Sequence, residues 1–114
     1  MGAGSVVAGG LARGEVRLYH FPAPDKPRPV VVLTRDTALG YLGSVTVAPI
    51  TSSVRGVPSE VLLTTADGMK NTCVVNAHNI VTVSKADLGR RVAMLGPERL
   101  REICAAINFA LGCR

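Results

Sequence analysis

Lys26-Pro27-Arg28-Pro29-Val30-Val31-Val32-Leu33 is the stretch of sequence that decides the fold. The continuous, mainly β-branched run over residues 30–34 predicts a strand that is buried on both of its faces. Prolines lie on both sides of Arg28, and each restricts the backbone beside it. We therefore expect the Arg28 guanidinium to point in a defined direction at the start of this strand.

A second apolar strand, predicted over residues 44–50, also ends in a polar group. Thr51 follows Pro49-Ile50, so its hydroxyl stands at the strand end. A permanent cation and a hydroxyl on neighbouring strand ends can hold one phosphate between them. Each residue alone is equally typical of a plain surface arginine or a turn-forming threonine. Together they predict a protein that acts on a phosphodiester.

Length and charge agree with a small nucleic-acid enzyme. The 114 residues suffice for one domain with one core. Ten arginines against three lysines give a net charge of +5. This composition suits bidentate phosphate contacts, although a GC-rich genome also favours arginine codons.

Metal and cofactor sites are not expected. The chain has three cysteines, Cys73, Cys104 and Cys113, and they form no CxxC or histidine-paired spacing. An odd number without such spacing argues against a zinc site and favours free thiols in the cytoplasm. The carboxylates are scattered, which argues against a two-metal nuclease. No P-loop, HExxH, GxSxG or GxGxxG motif is present.

The order of elements predicts a small β-barrel. Residues 1–13 are rich in glycine and alanine, and we expect a disordered tail there, followed by a single domain over residues 14–114. Residues 14–21 alternate as a strand, with Val16, Leu18 and His20 expected on the buried face and Glu15, Arg17 and Tyr19 on the other. No stretch reaches membrane-spanning length, so no membrane partner is expected.

Several further short strands precede one C-terminal helix. Pro97 suits its first position, Gly112 its end, and Leu100, Ile103, Cys104, Ile107 and Leu111 form its apolar stripe. The fold class is therefore mostly β, antiparallel, with a C-terminal helix.

Five further polar residues are candidates for binding a nucleic acid. Ser52 and Arg55 lie in a polar loop after Thr51, and Thr34 ends the first apolar strand. His78 and Asn79 lie between two short strands. A histidine can titrate near neutrality, although at a strand junction it is more often structural.

Five segments in order resemble the MazF/PemK family of toxin endoribonucleases. They are Gly14-Glu15-Val16, Arg28-Pro29-Val30-Val31-Val32-Leu33, Val47-Ala48-Pro49-Ile50-Thr51-Ser52, residues 68–80 and the helix over residues 100–112. The resemblance covers roughly residues 14–112. It implies a dimeric, SH3-like β-barrel, a fold also shared with the gyrase poison CcdB.

The resemblance also implies a function and a site. Family members are mRNA interferases that cut single-stranded RNA at short sequences without metal, and a cognate antitoxin blocks the site with its C-terminal segment. The family's catalytic arginine falls on Arg28 and its catalytic serine or threonine on Thr51. The implied reaction is attack of the substrate 2′-OH on the adjacent phosphorus, which explains a requirement for RNA.

The chain departs from the family at two places. The loop over residues 22–27 is short and proline-rich where many members have a longer glycine-rich loop, which we expect to open the groove to a folded RNA such as tRNA. His78-Asn79-Ile80-Val81 stands where the family has Asp-Gln-Ile-Arg, so sequence preference is expected to differ.

Two alternative functions share this fold. A CcdB-like poison relies on a terminal tryptophan, whereas this chain ends Gly112-Cys113-Arg114 and contains no tryptophan. A basic RNA-binding barrel would retain RNA at low salt without cleaving it.

Overall fold

The computed structural model describes residues 10–21 and 27–112. Within them the strands are β1 (Glu15–His20), β2 (Pro27–Val32), β3 (Ser44–Thr51), β4 (Glu60–Leu63), β5 (Cys73–Asn76), β6 (Val81–Ser84) and β7 (Leu88–Met94). The helices are α1 (Asp36–Leu39) and α2 (Pro97–Leu111). Short 3-10 turns cover Thr65–Asp67, Ala77–Asn79 and Lys85–Asp87.

The described strands form one antiparallel sheet. Its order is β4-β5-β3-β2-β1-β7, and β6 pairs with β3 beside this path. β3 therefore joins the two halves of the sheet: Ser44 to Val47 pair with β6, Val47 to Pro49 with β2, and Ile50 and Thr51 with β5. The predicted antiparallel β fold with a C-terminal helix is confirmed. The sheet is not closed, because no pairing joins β4 to β7 within the described ranges.

Two apolar clusters lie on opposite faces of β2. Val31 packs in the larger cluster together with Leu63 and Ile103 of α2. Val30 and Val32 pack in the smaller cluster, which Leu39 of α1 covers. All three valines are fully buried, so the prediction of a strand buried on both faces is confirmed.

β1 differs from its predicted alternation. Glu15 was expected on the solvent face, yet only 4% of it is exposed, while His20 is exposed. Register shifts between β1 and β7 interrupt the alternation on either side of Arg17. The buried carboxylate of Glu15 is compensated by Arg17 Nε at 2.8 Å and Arg91 Nη1 at 3.6 Å.

The ends of α2 are as predicted, and three residues of the predicted stripe face the core: Ile103 is buried, and Leu100 and Ile107 pack against the larger cluster. Pro97 lies in the first turn and Gly112 ends the helix with a left-handed φ of 70°. The buried helix residues are Ile103 and Ala106. Cys104 and Leu111, which the apolar stripe included, are exposed because α2 packs on β4 and the Ala77–Asn79 turn along a face centred nearer Ala106.

The expected tail lies partly outside the described residues. Residues 1–9 are outside them, as are residues 22–26 of the proline-rich loop. Leu11 packs against the smaller cluster, and Arg13 donates hydrogen bonds to the carbonyl oxygen of Leu33 and to Cys104 Sγ. Residues 11 and 13 are therefore packed on the domain. No described helix has the length and hydrophobicity needed to cross a membrane.

The Glu15 ion pairs are expected to stabilise the fold measurably. Glu15→Gln removes the charge that compensates Arg17 while keeping the side-chain shape, so we expect a loss of about 2 kcal/mol in the free energy of unfolding. The matched control is Asp87→Asn, because Asp87 is exposed. Urea unfolding measures both variants, and equal effects would contradict the structural role of Glu15.

Candidate active site

Arg28 and Thr51 lie at adjacent ends of β2 and β3. The antiparallel register pairs Val30 with Pro49 and Val31 with Ala48. The pairing of β2 with β3 ends there, and two residues further along each strand lie Arg28 and Thr51, on the same faces of their strands as Val30 and Pro49. Both residues line the same two cavities, so their side chains share one cleft.

The first cavity lies between β3 and the loop that precedes β5. Its volume is about 290 Å³. Beside Arg28 and Thr51, its lining combines apolar residues with a polar rim: Pro29, Ile50, Met69 and Cys73, then Ser52, Lys70, Asn71 and Thr72. An apolar wall with a cationic and amide rim suits a nucleotide, because the base can pack against the apolar wall while the polar groups bind its edge and phosphate.

The second cavity lies on the other side of the pair and has a volume of about 260 Å³. It shares Arg28, Thr51 and Ile50 with the first, and adds Pro49, Ser53, Arg55, Glu60, Asn76 and Asn79. Two amide side chains lie here: the Asn76 oxygen accepts from the backbone N–H of His78 at 3.0 Å and leaves its NH₂ to donate, and Asn79 can both donate to and accept from a base edge. Arg28 and Thr51 thus stand where the two cavities meet.

The Thr51 hydroxyl is arranged to donate. Its oxygen accepts a hydrogen bond from the backbone N–H of Ser53 at 3.2 Å. Because a hydroxyl both accepts and donates, its own hydrogen remains free to turn toward a phosphate oxygen in the cleft.

The Glu60 carboxylate accepts hydrogen bonds from the loop after β3. Its Oε1 accepts hydrogen bonds from the backbone N–H groups of Arg55, at 3.0 Å, and Gly56, at 2.9 Å. Gly56 has a φ of 74°, a left-handed conformation that favours glycine. The carboxylate therefore holds the loop that carries Arg55.

A capped turn holds the loop of the first cavity. Asp67 accepts from the backbone N–H of Thr64 at 2.9 Å and from Arg99 Nε of α2 at 3.0 Å. Gly68 then takes a φ of 91°, and a Cβ there would lie 3.1 Å from that of Ala93. These contacts tie the Lys70 loop to α2.

Comparison with known proteins decides the family. A profile of PemK-like, MazF-like toxins of type II toxin-antitoxin systems matches residues 12–111. This chain belongs to the PemK/MazF family.

Its curated relatives include named endoribonucleases. The probable endoribonuclease MazF2 of Mycobacterium tuberculosis is 38% identical over 104 residues, which are 90% of this chain and 100% of that protein. Endoribonuclease MazF3 of the same organism is 41% identical over 95 residues, or 83% of this chain and 92% of that protein. The predicted class of toxin endoribonuclease is confirmed over the enzyme poison and the plain RNA-binding barrel.

Solved structures of MazF toxins and endoribonucleases have the same fold as this chain. The Mycobacterium tuberculosis toxin MazF-mt6 superposes with a TM-score of 0.80 and 34% identity, covering 88% of this chain and 98% of that one. An endoribonuclease from a mycobacterial species, solved in complex with its cognate antitoxin, has a TM-score of 0.82 and 25% identity, covering 91% and 97%.

The structure brings most of the predicted site residues of this PemK/MazF chain together. Ser52 lines the first cavity, and Arg55 and Asn79 line the second. Thr34 lines neither of these cavities, because it stands past the far end of β2, where its hydroxyl accepts from the backbone N–H of Thr46 at 2.8 Å. His78 is exposed on the turn beside Asn79 and also lines neither of them.

Sequence reasoning missed five of the polar residues that line the two cavities. Lys70, Asn71 and Thr72 line the first cavity, and Glu60 and Asn76 line the second. The sequence does contain a pattern that predicts a well-ordered loop before Lys70. Thr64-x-x-Asp67 is a capping box, and Gly68 follows it in a left-handed conformation. Which cavity this loop borders depends on pairing between β3 and β5, which no local pattern reveals.

Two groups beside the first cavity have shifted pKa values. Burial acts to raise the pKa of Asp67, but its hydrogen bonds from Arg99 and Thr64 outweigh that effect and lower it. Burial, with the nearby charge of Asp67, raises the pKa of the Cys73 thiol. Cys73 is therefore an uncharged thiol in the cavity wall and a poor nucleophile.

The lowered pKa of Asp67 predicts a dependence of stability on pH. An aspartate in the unfolded chain has a pKa of about 3.9. Because the folded pKa lies lower, the stabilisation is complete above the unfolded pKa and is lost as pH falls through the folded value. Asp67→Asn should therefore cost about 1 kcal/mol at pH 7, and the difference from wild type should shrink below about pH 4.

Urea unfolding across pH 2–7 measures this, with Asp87→Asn as the control of equal charge change. A gap between wild type and Asp67→Asn that stays constant with pH would contradict the role given to the Asp67 carboxylate.

Proposed function

We propose that the cleft binds single-stranded RNA and that Arg28 and Thr51 act directly on the scissile phosphate. Their position between two cavities supports this, because an RNA strand crossing the cleft would place one nucleotide on each side of the pair. Arg28 is exposed and has no ion pair with another described residue, so its charge is available to a phosphate.

The proposed reaction is an internal transesterification. The substrate 2′-OH loses its proton to solvent and attacks the adjacent phosphorus, the bond from phosphorus to the 5′ oxygen breaks, and that oxygen takes a proton from solvent. The products are a 2′,3′-cyclic phosphate and a 5′-hydroxyl. Negative charge develops on the non-bridging oxygens during attack. Arg28 would stabilise that charge by a charge-assisted hydrogen bond, and Thr51 would donate a second hydrogen bond. Neither a cofactor nor a metal is part of this proposal.

The biological role follows from the family. Cutting mRNA, or a tRNA or rRNA, would stop translation in the cytoplasm, where we place the protein. A solved relative is bound to its cognate antitoxin, and we propose an antitoxin here whose C-terminal segment occupies the same groove. Arg28, Arg55 and Lys70 are exposed at this cleft, so an acidic segment would suit it.

We also propose a homodimer. Phe109 and Leu111, at the C-terminal end of α2, are 59% and 58% exposed. This end of the helix therefore offers apolar surface that a second chain could bury. Sedimentation at micromolar concentration should give twice the mass of the chain, and Leu111→Glu should shift the protein toward monomer. A monomer at all concentrations would contradict the proposal.

Arg28 and Thr51 can be tested by substitution. Arg28→Ala and Thr51→Ala should each lower the cleavage rate of a mixed-sequence single-stranded RNA by about 10²–10³, the effect of removing one donor to a developing oxyanion. Arg90→Ala is the matched control, because Arg90 is exposed on β7 and lines neither cavity. It should cut at the wild-type rate.

EDTA should leave the wild-type rate unchanged, and an oligonucleotide with 2′-deoxyribose throughout should remain intact because it lacks the attacking hydroxyl. Full activity of Arg28→Ala would remove the proposed mechanism, and cleavage of the deoxy substrate would exclude attack by the 2′-OH.

A further inference from the structure

A second unpaired cation shares the first cavity with Arg28. Lys70 is exposed on the loop that precedes β5. The described ion pairs occupy Arg17, Arg91 and Arg99, whose partners are Glu15, Asp67 and Glu102. Lys70 has no such partner among the described residues, so its charge is available to a ligand.

The two cavities differ in charge. The described residues that line the first cavity include two cations, Arg28 and Lys70, and no carboxylate, whereas in the second cavity Arg28 and Arg55 are accompanied by Glu60. An anion is therefore favoured on the Lys70 side of the cleft. The apolar wall there, formed by Pro29, Ile50 and Met69 among others, suits a nucleobase.

The loop that carries Lys70 is held in place before any ligand arrives. Asp67 joins the capped turn to Arg99 of α2, a Cβ on Gly68 would lie only 3.1 Å from that of Ala93, and Met69, the residue before Lys70, is buried in the larger cluster. A lysine whose backbone is held in this way needs only its own side chain to be ordered on binding.

We propose that Lys70 binds the backbone phosphate of the nucleotide next to the scissile linkage, with the base of that nucleotide on the apolar wall of the first cavity. Arg28 and Thr51 act on the scissile phosphate itself, so Lys70 is a substrate-binding residue for a neighbouring one. The proposal depends on the cleft binding RNA, as argued above.

Salt dependence of binding measures this contact. The probe is a mixed-sequence 2′-O-methyl oligoribonucleotide, which cannot be cut, and its affinity is followed by fluorescence anisotropy at several salt concentrations. Each phosphate contact on a single strand contributes about 0.7 to the slope of log K against log salt. Lys70→Gln should reduce the magnitude of the slope by about 0.7, which corresponds to roughly fivefold weaker binding at 0.1 M salt.

Arg90→Gln is the matched control, because it removes one exposed positive charge away from the cleft and should leave the slope unchanged. With a cleavable RNA, Lys70→Gln should raise KM by more than it lowers kcat, whereas Arg28→Ala should lower kcat. Circular dichroism melting of each variant verifies that it is folded.

An unchanged slope for Lys70→Gln, or equal losses for Lys70→Gln and Arg90→Gln, would overturn the proposal. Weaker binding of polyglutamate with unchanged RNA binding would overturn it too, and would assign Lys70 to an acidic protein segment. The measurement uses equilibrium binding, so it stays informative if no cleavage is found, an outcome that counts against the proposed function alone.

Discussion

The register between β2 and β3 is the constraint on which the cleft depends. A shift by one residue would turn Thr51 away from the face that carries Arg28. Val30, Val31 and Val32 are alike, so their side chains cannot select the register by themselves. Pro29 and Pro49 can contribute, because each lacks an N–H and fits only where the ladder needs no donor.

The cleft forms because β3 changes its pairing partners along its length. β3 pairs with β2 as far as Pro49 and with β5 at Ile50 and Thr51. The loop before β5 is thereby brought to one side of Thr51, and the loop after β3 lies on the other. A hydroxyl at this junction faces two cavities, whereas the same residue in the middle of a strand pair would face only its neighbours.

Most of the paired carboxylates lie in the body of the domain, whereas unpaired positive charges lie at the cleft. Glu15 and Asp67 neutralise arginines that hold β1, β7 and α2 together. Glu60, which does reach the cleft, accepts two backbone hydrogen bonds. These three carboxylates are thus used for structure, and the positive charges at the cleft remain available to attract an anionic strand.

Local patterns predicted what depends on local physics. The buried run in β2, the ends of α2 and the positions of Arg28 and Thr51 at strand ends follow from side-chain branching, proline geometry and capping. The burial of Glu15 could not be predicted, because it depends on a register shift against β7 and on Arg91, which lies 76 residues further along the chain. Lys70 was missed for a similar reason, because β5 pairs with β3 across more than 20 residues.

In the proposed mechanism, catalysis and recognition depend on different kinds of structure. Arg28 and Thr51 belong to strands, whose hydrogen-bonded partners fix their position within the small tolerance that transition-state stabilisation needs. Arg55 and Lys70 belong to loops held by one carboxylate each, Glu60 and Asp67. Such loops can change sequence without moving the strand ends. In that mechanism, a chain of this fold can alter which RNA it binds while keeping the two groups that act on the phosphate.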